Sequence, residues 1–172
     1  MLDATDIESL YQRLERPLFN VAFRWTWNDA QAQELVQEAF LRLWNARWRV
    51  RPDSAEAYVY RIVLNLGQKH AGRRSRWRDF VTRAPQAEED ARGPEQDADG
   101  EALRRAIVAL PDTLRSVLLL CEYSGLRQRE IAALLDIRPG TVGSRRHEAM
   151  ARLREALDAT TVEEETDAAN PA

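Results

Sequence analysis

The sequence predicts an all-α protein, built from two small helical domains joined by a flexible acidic linker. Three observations predict this fold: a composition rich in helix-forming residues, apolar residues at helical spacing, and one segment that concentrates prolines, glycines and carboxylates. Of 172 residues, 44% are hydrophobic and 31% are charged, with only seven glycines and seven prolines. Such a composition leaves few turn-forming residues for an antiparallel sheet.

The first domain is expected to span residues 1–80 as a helical bundle. Apolar residues recur every three or four positions from Ile7 to Trp27, and Pro17 is expected to kink or divide that helix. Asn28 and Asp29 are suited to cap a second helix, whose apolar face runs from residue 35 to residue 44. A third helix is expected from about Ala55 into the arginine-rich residues 73–76.

The linker is expected at residues 81–100, because this segment has almost no large apolar side chain to bury. The second domain, residues 101–158, is expected to begin with a helix ended by Pro111 and a second helix capped by Asp112. Residues 159–172 are expected to be an acidic, disordered tail.

Residues 125–157 have the pattern of a helix-turn-helix. Ile131, Leu135, Ile137 and Val142 are expected to fix the crossing of two helices, the second of which starts near Pro139. That second helix would place an outward face in the major groove of DNA. The alternative is an ordinary helical hairpin with a solvated basic face.

Basic residues cluster although the net charge is −3. Between Arg42 and Arg78 there are ten Lys or Arg residues against two acidic residues, Asp53 and Glu56. Cations interleaved with aromatic rings suit DNA that is single-stranded or being opened. The alternative places Trp44 and Tyr60 in the core and leaves the arginines solvated.

No catalytic or metal-binding pattern is visible, so neither an enzyme nor a cofactor is expected. The two histidines, His70 and His147, lie in basic helices, and no glycine-rich phosphate loop or Cys/His cluster is present. Cys121 lies in an apolar run and is expected to be a small buried hydrophobe, with no disulfide. Without an apolar leader or membrane span, the chain is expected to be cytoplasmic, with no membrane insertion.

Four segments resemble the extracytoplasmic function group of bacterial RNA polymerase sigma factors, in the sigma-70 family. Residues 29–44, D-A-Q-A-Q-E-L-V-Q-E-A-F-L-R-L-W, are similar to the family's core-polymerase-binding helix. Residues 58–65, Y-V-Y-R-I-V-L-N, are similar to the helix that meets the −10 element. The E-I-A-A-L-L and G-T-V-G-S-R segments, which begin at Glu130 and Gly140, are similar to signatures of the −35-binding domain.

The resemblance implies a factor that binds core RNA polymerase, recognises the −35 and −10 elements and helps to melt the −10 region. It implies a monomer when free, with the β′ clamp helices, the β subunit, double-stranded and melted promoter DNA and an anti-sigma factor as partners. The core-binding residues it implies are Asp29, Glu34, Gln37, Glu38, Phe40 and Trp44. The −10-binding residues are Arg47, Trp48, Arg49, Arg51, Tyr58, Asn65, Lys69, Arg73, Arg74 and Arg76. The −35-binding residues are Arg138, Thr141, Gly143, Ser144, Arg145, Arg146, His147 and Glu148.

Two residues depart from the family pattern, since Gly143 and Glu148 stand where basic residues are usual. A carboxylate near phosphates is repulsive, but it can accept a hydrogen bond from a cytosine amino group. An unusual −35 preference is therefore expected. A helix-turn-helix repressor that never contacts polymerase is the rival interpretation, but it leaves the 29–44 pattern unexplained.

Overall fold

The computed structural model describes the backbone of residues 1–81 and 98–168, and the side chains of residues 1–73 and 100–159. The described residues contain helices and no strands, in agreement with the predicted fold class. In chain order the helices are α1 (Ala4–Thr26), α2 (Asp29–Ala46), a short 3₁₀ helix (Pro52–Ser54), α3 (Ala55–Val81), α4 (Ala98–Ala109), α5 (Asp112–Tyr123), α6 (Gln128–Leu135) and α7 (Pro139–Ala168).

Helices α1, α2 and α3 pack on one another to form the first domain. Side-chain caps define where two of them begin. The Asp3 carboxylate accepts a hydrogen bond from the Asp6 amide at 2.8 Å, and the Asn28 side chain accepts one from the Gln31 amide at 2.9 Å. The Asn28 cap confirms the predicted start of the second helix.

Pro17 lies inside α1, which is one continuous helix. The expectation that it divides the helix is therefore wrong. Leu14, Leu18 and Val21 are buried on the inner face of α1, and this packing on both sides of Pro17 holds the helix together.

Helices α4 to α7 form the second domain, and residues 114–120 of α5 are buried at its centre. The prediction that Asp112 caps α5 is wrong, because Pro111 occupies the cap position and Asp112 is the first helical residue. The negative charge of Asp112 in the first turn still stabilises the helix, because the helix dipole places partial positive charge at its N-terminal end.

The helix-turn-helix consists of α6, a tight turn and α7. Asp136 ends α6 in the left-handed conformation with φ of 55°, and the Ile137 amide donates to the Ala132 carbonyl at 3.0 Å. Ile131 and Val142 are buried as expected, whereas Leu135 and Ile137 are half-buried. The helix-turn-helix expected from the sequence is thus present, with α7 starting at Pro139.

Helix α7 continues to Ala168. The acidic tail predicted from residue 159 therefore overlaps the end of α7, and its disorder stays a prediction. Most of the predicted linker, residues 82–97, lies outside the described residues, and α4 already begins at Ala98.

The two domains pack against each other, with contacts of α1 with α5 and of α3 with α6. Their buried apolar side chains form one continuous cluster, in which Tyr60 and Val63 of α3 belong to the same core as Leu119 and Ile131 of the second domain. This close packing was not expected for two domains joined by a linker. None of the helices in the described part of the chain has the length and apolar character needed to cross a membrane.

Candidate nucleic-acid interface

The outward face of α2 carries polar, acidic and apolar side chains. Asp29, Glu34 and Gln37 are exposed, and Glu38 forms an ion pair with Arg42 at 2.6 Å. Leu41 is 58% exposed and follows Gln37 and Glu38 at helical spacing. Sequence reasoning missed Leu41, although an apolar residue on the polar face of an amphipathic helix is a signal that a protein partner covers it.

Phe40 does not belong to this face. It is buried, and its ring meets the Tyr11 ring edge-on with centroids 4.9 Å apart. In the free chain the Phe40 side chain is therefore part of the core that supports α2, and its direct contact with polymerase stays a prediction.

Arg47 lies between two exposed tryptophans at the end of α2. Its guanidinium is 4.1 Å from the Trp44 ring centroid and 4.2 Å from that of Trp48, and it donates a hydrogen bond to the Trp44 carbonyl at 2.7 Å. Trp44 is 41% and Trp48 61% exposed. Stacking on a cation holds both rings in place, with aromatic surface left for a partner.

An open cleft of about 360 Å³ lies beside this cation–aromatic stack. Its lining residues are Arg42, Asn45, Ala46, Trp48, Arg49 and Tyr58. Aromatic, amide and cationic groups thus meet in a cavity large enough for a single planar ring system. Sequence reasoning placed Trp48, Arg49 and Tyr58 at a DNA-binding site and missed Arg42 and Asn45.

Helix α3 begins directly after the short 3₁₀ helix and carries a stripe of polar residues. Asn65, Lys69 and Arg73 are exposed at four-residue steps, and Tyr58 is half-buried one turn before Arg61. Tyr60 is fully buried, so its position in the core agrees with the alternative considered for it. Arg51 forms an exposed ion pair with Asp53 at 3.2 Å. Arg74 and Arg76 lie on α3, but outside the described side chains.

Apart from Arg138, which directly precedes it, α7 carries the predicted −35-binding residues in its first three turns. Arg138, Gly143, Ser144 and His147 are exposed, and Thr141 and Arg145 are half-buried. The remaining two residues are in ion pairs: Arg146 binds Glu122 of α5 at 2.9 Å, and Glu148 binds Arg152 at 2.8 Å.

Gly143 makes room for a side chain from α6. The Gln128 amide nitrogen donates to the Pro139 carbonyl at 2.6 Å, and a Cβ at position 143 would lie 3.2 Å from that nitrogen. Both residues line an open groove of about 560 Å³ that also contains Arg146 and His147. Gln128 is a further residue that sequence reasoning missed, because its contact depends on how two helices cross.

Cys121, which was expected to be buried, is half-buried, and desolvation by burial raises the pKa of its thiol above the ordinary value. Among the residues that the structure describes, no cluster of His, Cys, Asp and Glu is arranged to hold a metal ion.

Comparison with known proteins identifies both domains. The family model "Sigma-70 region 2" matches residues 10–78, and "Sigma-70, region 4" matches residues 100–153. Two solved structures have the same fold. The sigma factor RpoE in complex with the anti-sigma factor NepR, from Bartonella quintana, gives a TM-score of 0.69 at 21% identity, covering 90% of this chain and 98% of that one. CnrH in complex with the cytosolic domain of CnrY gives 0.66 at 23% identity, covering 89% and 88%.

Three proteins with related sequences are RNA polymerase sigma factors. The ECF RNA polymerase sigma factor SigE of Mycolicibacterium smegmatis is 31% identical over 156 residues, which cover 87% of this chain but only 60% of that relative. The RNA polymerase sigma-H factor of Pseudomonas aeruginosa is 30% identical, covering 91% and 86%. The ECF RNA polymerase sigma-E factor of Escherichia coli is 33% identical, covering 73% and 71%. The chain therefore belongs to the extracytoplasmic function group of the sigma-70 family, whose members are transcription initiation factors and not enzymes.

Proposed function

We propose that this chain binds core RNA polymerase in the cytoplasm and directs transcription initiation by recognising the −35 and −10 elements of a promoter. The observation that carries the proposal is the presence of two exposed candidate surfaces on separate domains: the cation–aromatic cleft with the α3 stripe, and the outward face of α7. A repressor with a helix-turn-helix alone would need only the second surface.

The polymerase-binding surface is the outward face of α2. Leu41 and Trp44 supply apolar area, and Glu34, Gln37 and Glu38 supply polar contacts around it. An apolar centre with a polar rim is the usual composition of a protein–protein interface. We place the β′ clamp helices of the polymerase on this face.

The −10 element is proposed to be read by the cleft beside Trp48. A base extruded from the duplex would enter between Trp48 and Tyr58, where Asn45 offers an amide to its hydrogen-bonding edge. Unstacking a base costs a few kcal/mol, and a preformed cleft offsets this cost for the base that fits. Asn65, Lys69 and Arg73 would then follow the strand along α3.

The −35 element is proposed to be read by α7 in the major groove. Ser144, Arg145 and His147 supply donors, while Glu148 is an acceptor paired with Arg152. Partial neutralisation of Glu148 by Arg152 lowers its repulsion of phosphate and leaves one acceptor for an exocyclic amino group.

We also propose an anti-sigma factor as a regulatory partner, supported by the two structures of similar fold, each of which is a complex with such a factor or with a partner's cytosolic domain. The free chain is proposed to be a monomer.

Run-off transcription with purified core polymerase, on promoters selected from random DNA, tests the main proposal. We expect specific transcripts only when the chain is added. Binding to DNA without any binding to core polymerase would overturn the proposal and favour a helix-turn-helix repressor or activator.

A charge reversal on α2 tests the polymerase surface. Glu34→Arg is expected to reduce the core polymerase recovered in a pull-down by about tenfold, because it places a cation in the proposed interface. Glu8→Arg makes the same charge change at an exposed position of α1. It is the matched control and should leave the recovery of core polymerase unchanged. Equal recovery with both variants would show that the α2 face is not the docking surface.

A further inference from the structure

The side chain of Gln128 is held at the junction of α6 and α7. Gln128 is the first residue of α6, and its Nε2 donates a hydrogen bond of 2.6 Å to the carbonyl of Pro139, the first residue of α7. A carbonyl oxygen can only accept, so this contact fixes which end of the amide faces Pro139. It uses one N–H of the amide and leaves the other N–H and Oε1 to a further partner.

Gly143 provides the space that this amide occupies. A Cβ at position 143 would lie 3.2 Å from Nε2 of Gln128, which is closer than an ordinary van der Waals contact. Gln128 is exposed, and it lines the open groove of about 560 Å³ together with Gly143, Arg146 and His147. The amide from α6 therefore lies on the surface of α7, beside residues of the outward face that is proposed to read the −35 element.

The donor and acceptor of the Gln128 amide match the edge of one base. An amide presents an N–H and a C=O side by side. In the major groove adenine presents the complementary pair, N7 as acceptor and the N6 amino group as donor, whereas guanine presents two acceptors. Two neighbours in the groove compete little for that base, because Gly143 has no side chain and the Arg146 guanidinium is bound to the Glu122 carboxylate at 2.9 Å.

We propose that Gln128 is a specificity-determining residue of the −35 site, which reads an adenine through Oε1 and its remaining N–H in the space that Gly143 leaves open. The proposal rests on the proposed function, because it takes the outward face of α7 as the face that lies in the major groove. The hydrogen bond to the Pro139 carbonyl holds the amide in place before DNA binds, which lowers the entropy cost of ordering the side chain.

Two substitutions of Gln128 separate base reading from a purely structural role. Gln128→Lys keeps a donor for the Pro139 carbonyl but has no acceptor, whereas Gln128→Met has neither group. Both side chains are close to glutamine in length, and the position is exposed, so the fold tolerates them. If Gln128 only joined α6 to α7, Gln128→Lys would keep the base preference of the wild type.

Selection from a DNA library measures the base preference. The full chain in complex with core polymerase first selects promoters from random DNA. One selected promoter is then randomised at its −35 positions alone, and the wild type and each variant, again in complex with core polymerase, select from this second library. We expect the wild type to prefer an A·T pair at one position that depends on residue 128.

At that position Gln128→Met should lose about tenfold in discrimination, the effect of removing one bidentate base contact, and Gln128→Lys should change the preference from adenine to guanine. The other −35 positions should keep their preferences in both variants. Gly143→Ala adds one methyl group against Nε2 and removes no polar group. It should weaken the adenine preference by about threefold in the wild type and have no further effect in Gln128→Met, since the two substitutions act on one contact.

Three results would overturn the proposal: wild-type preferences that survive in both Gln128 variants, a uniform loss of affinity without a change of preference, as for a phosphate contact, or an equal effect of Gly143→Ala with and without Gln128. Failure of the proposed function is seen separately, with the wild type alone. A wild-type chain that binds no core polymerase, or selects no common −35 sequence, would overturn the proposed function and this inference with it.

Discussion

Three arginines of this chain differ in what their guanidinium groups contact. Arg47 is stacked between two tryptophan rings, Arg115 is buried across the domain boundary, and Arg61 binds helix carbonyls while remaining partly accessible. In the sequence these residues look alike, since each is a cation in a helix-rich chain. Their roles depend on which helix end or ring lies opposite, and that is fixed only by tertiary packing.

Gly67 is required by the close approach of α3 to α1. A Cβ at this position would lie 2.5 Å from Cγ of the buried Trp25, so the indole would have to move. We expect Gly67→Ala to lower the free energy of unfolding by about 1–3 kcal/mol, measured by urea denaturation, because overpacking a rigid core costs this much.

Gly72 on the same helix is the matched control. A Cβ there meets nothing within 4 Å, so Gly72→Ala should raise the free energy of unfolding by up to about 1 kcal/mol through helix propensity. Equal effects of the two substitutions would contradict the role given to Trp25.

Tyr60 gives the fold a sensitivity to alkaline pH. Burial, together with the Glu56 carboxylate, raises the pKa of its phenol well above the ordinary value of 10.0, and Arg13 opposes this only in part. Above about pH 10 the unfolded chain loses this proton and the folded chain keeps it, so the free energy of unfolding falls as pH rises.

We therefore expect the wild type to lose stability above about pH 10 more steeply than Tyr60→Phe, by up to about 1.4 kcal/mol per pH unit. Urea denaturation at several pH values measures the two slopes. The slopes matter and not the absolute stabilities, since the variant also loses the hydrogen bond to the Ser124 carbonyl. Parallel slopes would show that the Tyr60 phenol is not the group responsible.

At the scale of elements, the start of α7 depends on α6. The Gln128 side chain bridges to the Pro139 carbonyl across the space over Gly143, and Glu148 is paired with Arg152 one turn along. A basic residue at position 143, as is usual in the family, would displace the contact of Gln128 with the Pro139 carbonyl. A basic residue at position 148 would break the ion pair with Arg152. The outward face of α7, which is proposed to read the −35 element, is thus built differently from the pattern that the sequence resembles.

Glu148→Arg tests this difference. We expect the variant to shift the preferred −35 sequence, because an acceptor becomes a donor and Arg152 loses its partner; binding to a library of −35 sequences measures the shift. Arg152→Gln, which removes the partner and keeps Glu148, should retain the wild-type preference with weaker binding. An unchanged preference in Glu148→Arg would show that residue 148 does not read bases.

Local signals predicted the helices well, and the reasons are specific. Helical spacing of buried residues identified α1, the amide of Asn28 identified the start of α2, and Pro139 identified the start of α7. Errors arose where packing outweighed a local preference, as at Pro17, or where a neighbouring residue took the expected cap, as at Pro111. The contacts of Gln128 and Arg61 bring together residues distant in sequence, so no local pattern could indicate them.

At the scale of the whole molecule, the two domains share one apolar core. We expect a single unfolding transition in urea, because neither domain can open without exposing the other's buried side chains. All five tryptophans lie in residues 25–77, so tryptophan fluorescence reports the first domain and circular dichroism reports both. The two signals should give the same midpoint in the wild type and separate midpoints in Arg115→Met. Two midpoints in the wild type would contradict the shared core.

The packing of the two domains against each other also sets a threshold for any partner that separates them. Because both faces belong to one chain, they meet at an effective concentration of roughly millimolar, however dilute the protein is. A partner present at about micromolar concentration must therefore bind one of the two covered domain faces on the order of a thousandfold more tightly than the other domain does, or gain its advantage from surfaces that stay exposed. The outward face of α2 is such a surface. A partner that binds there first is held next to the covered faces, so it competes for them as a tethered group, at an effective concentration similar to that of the other domain.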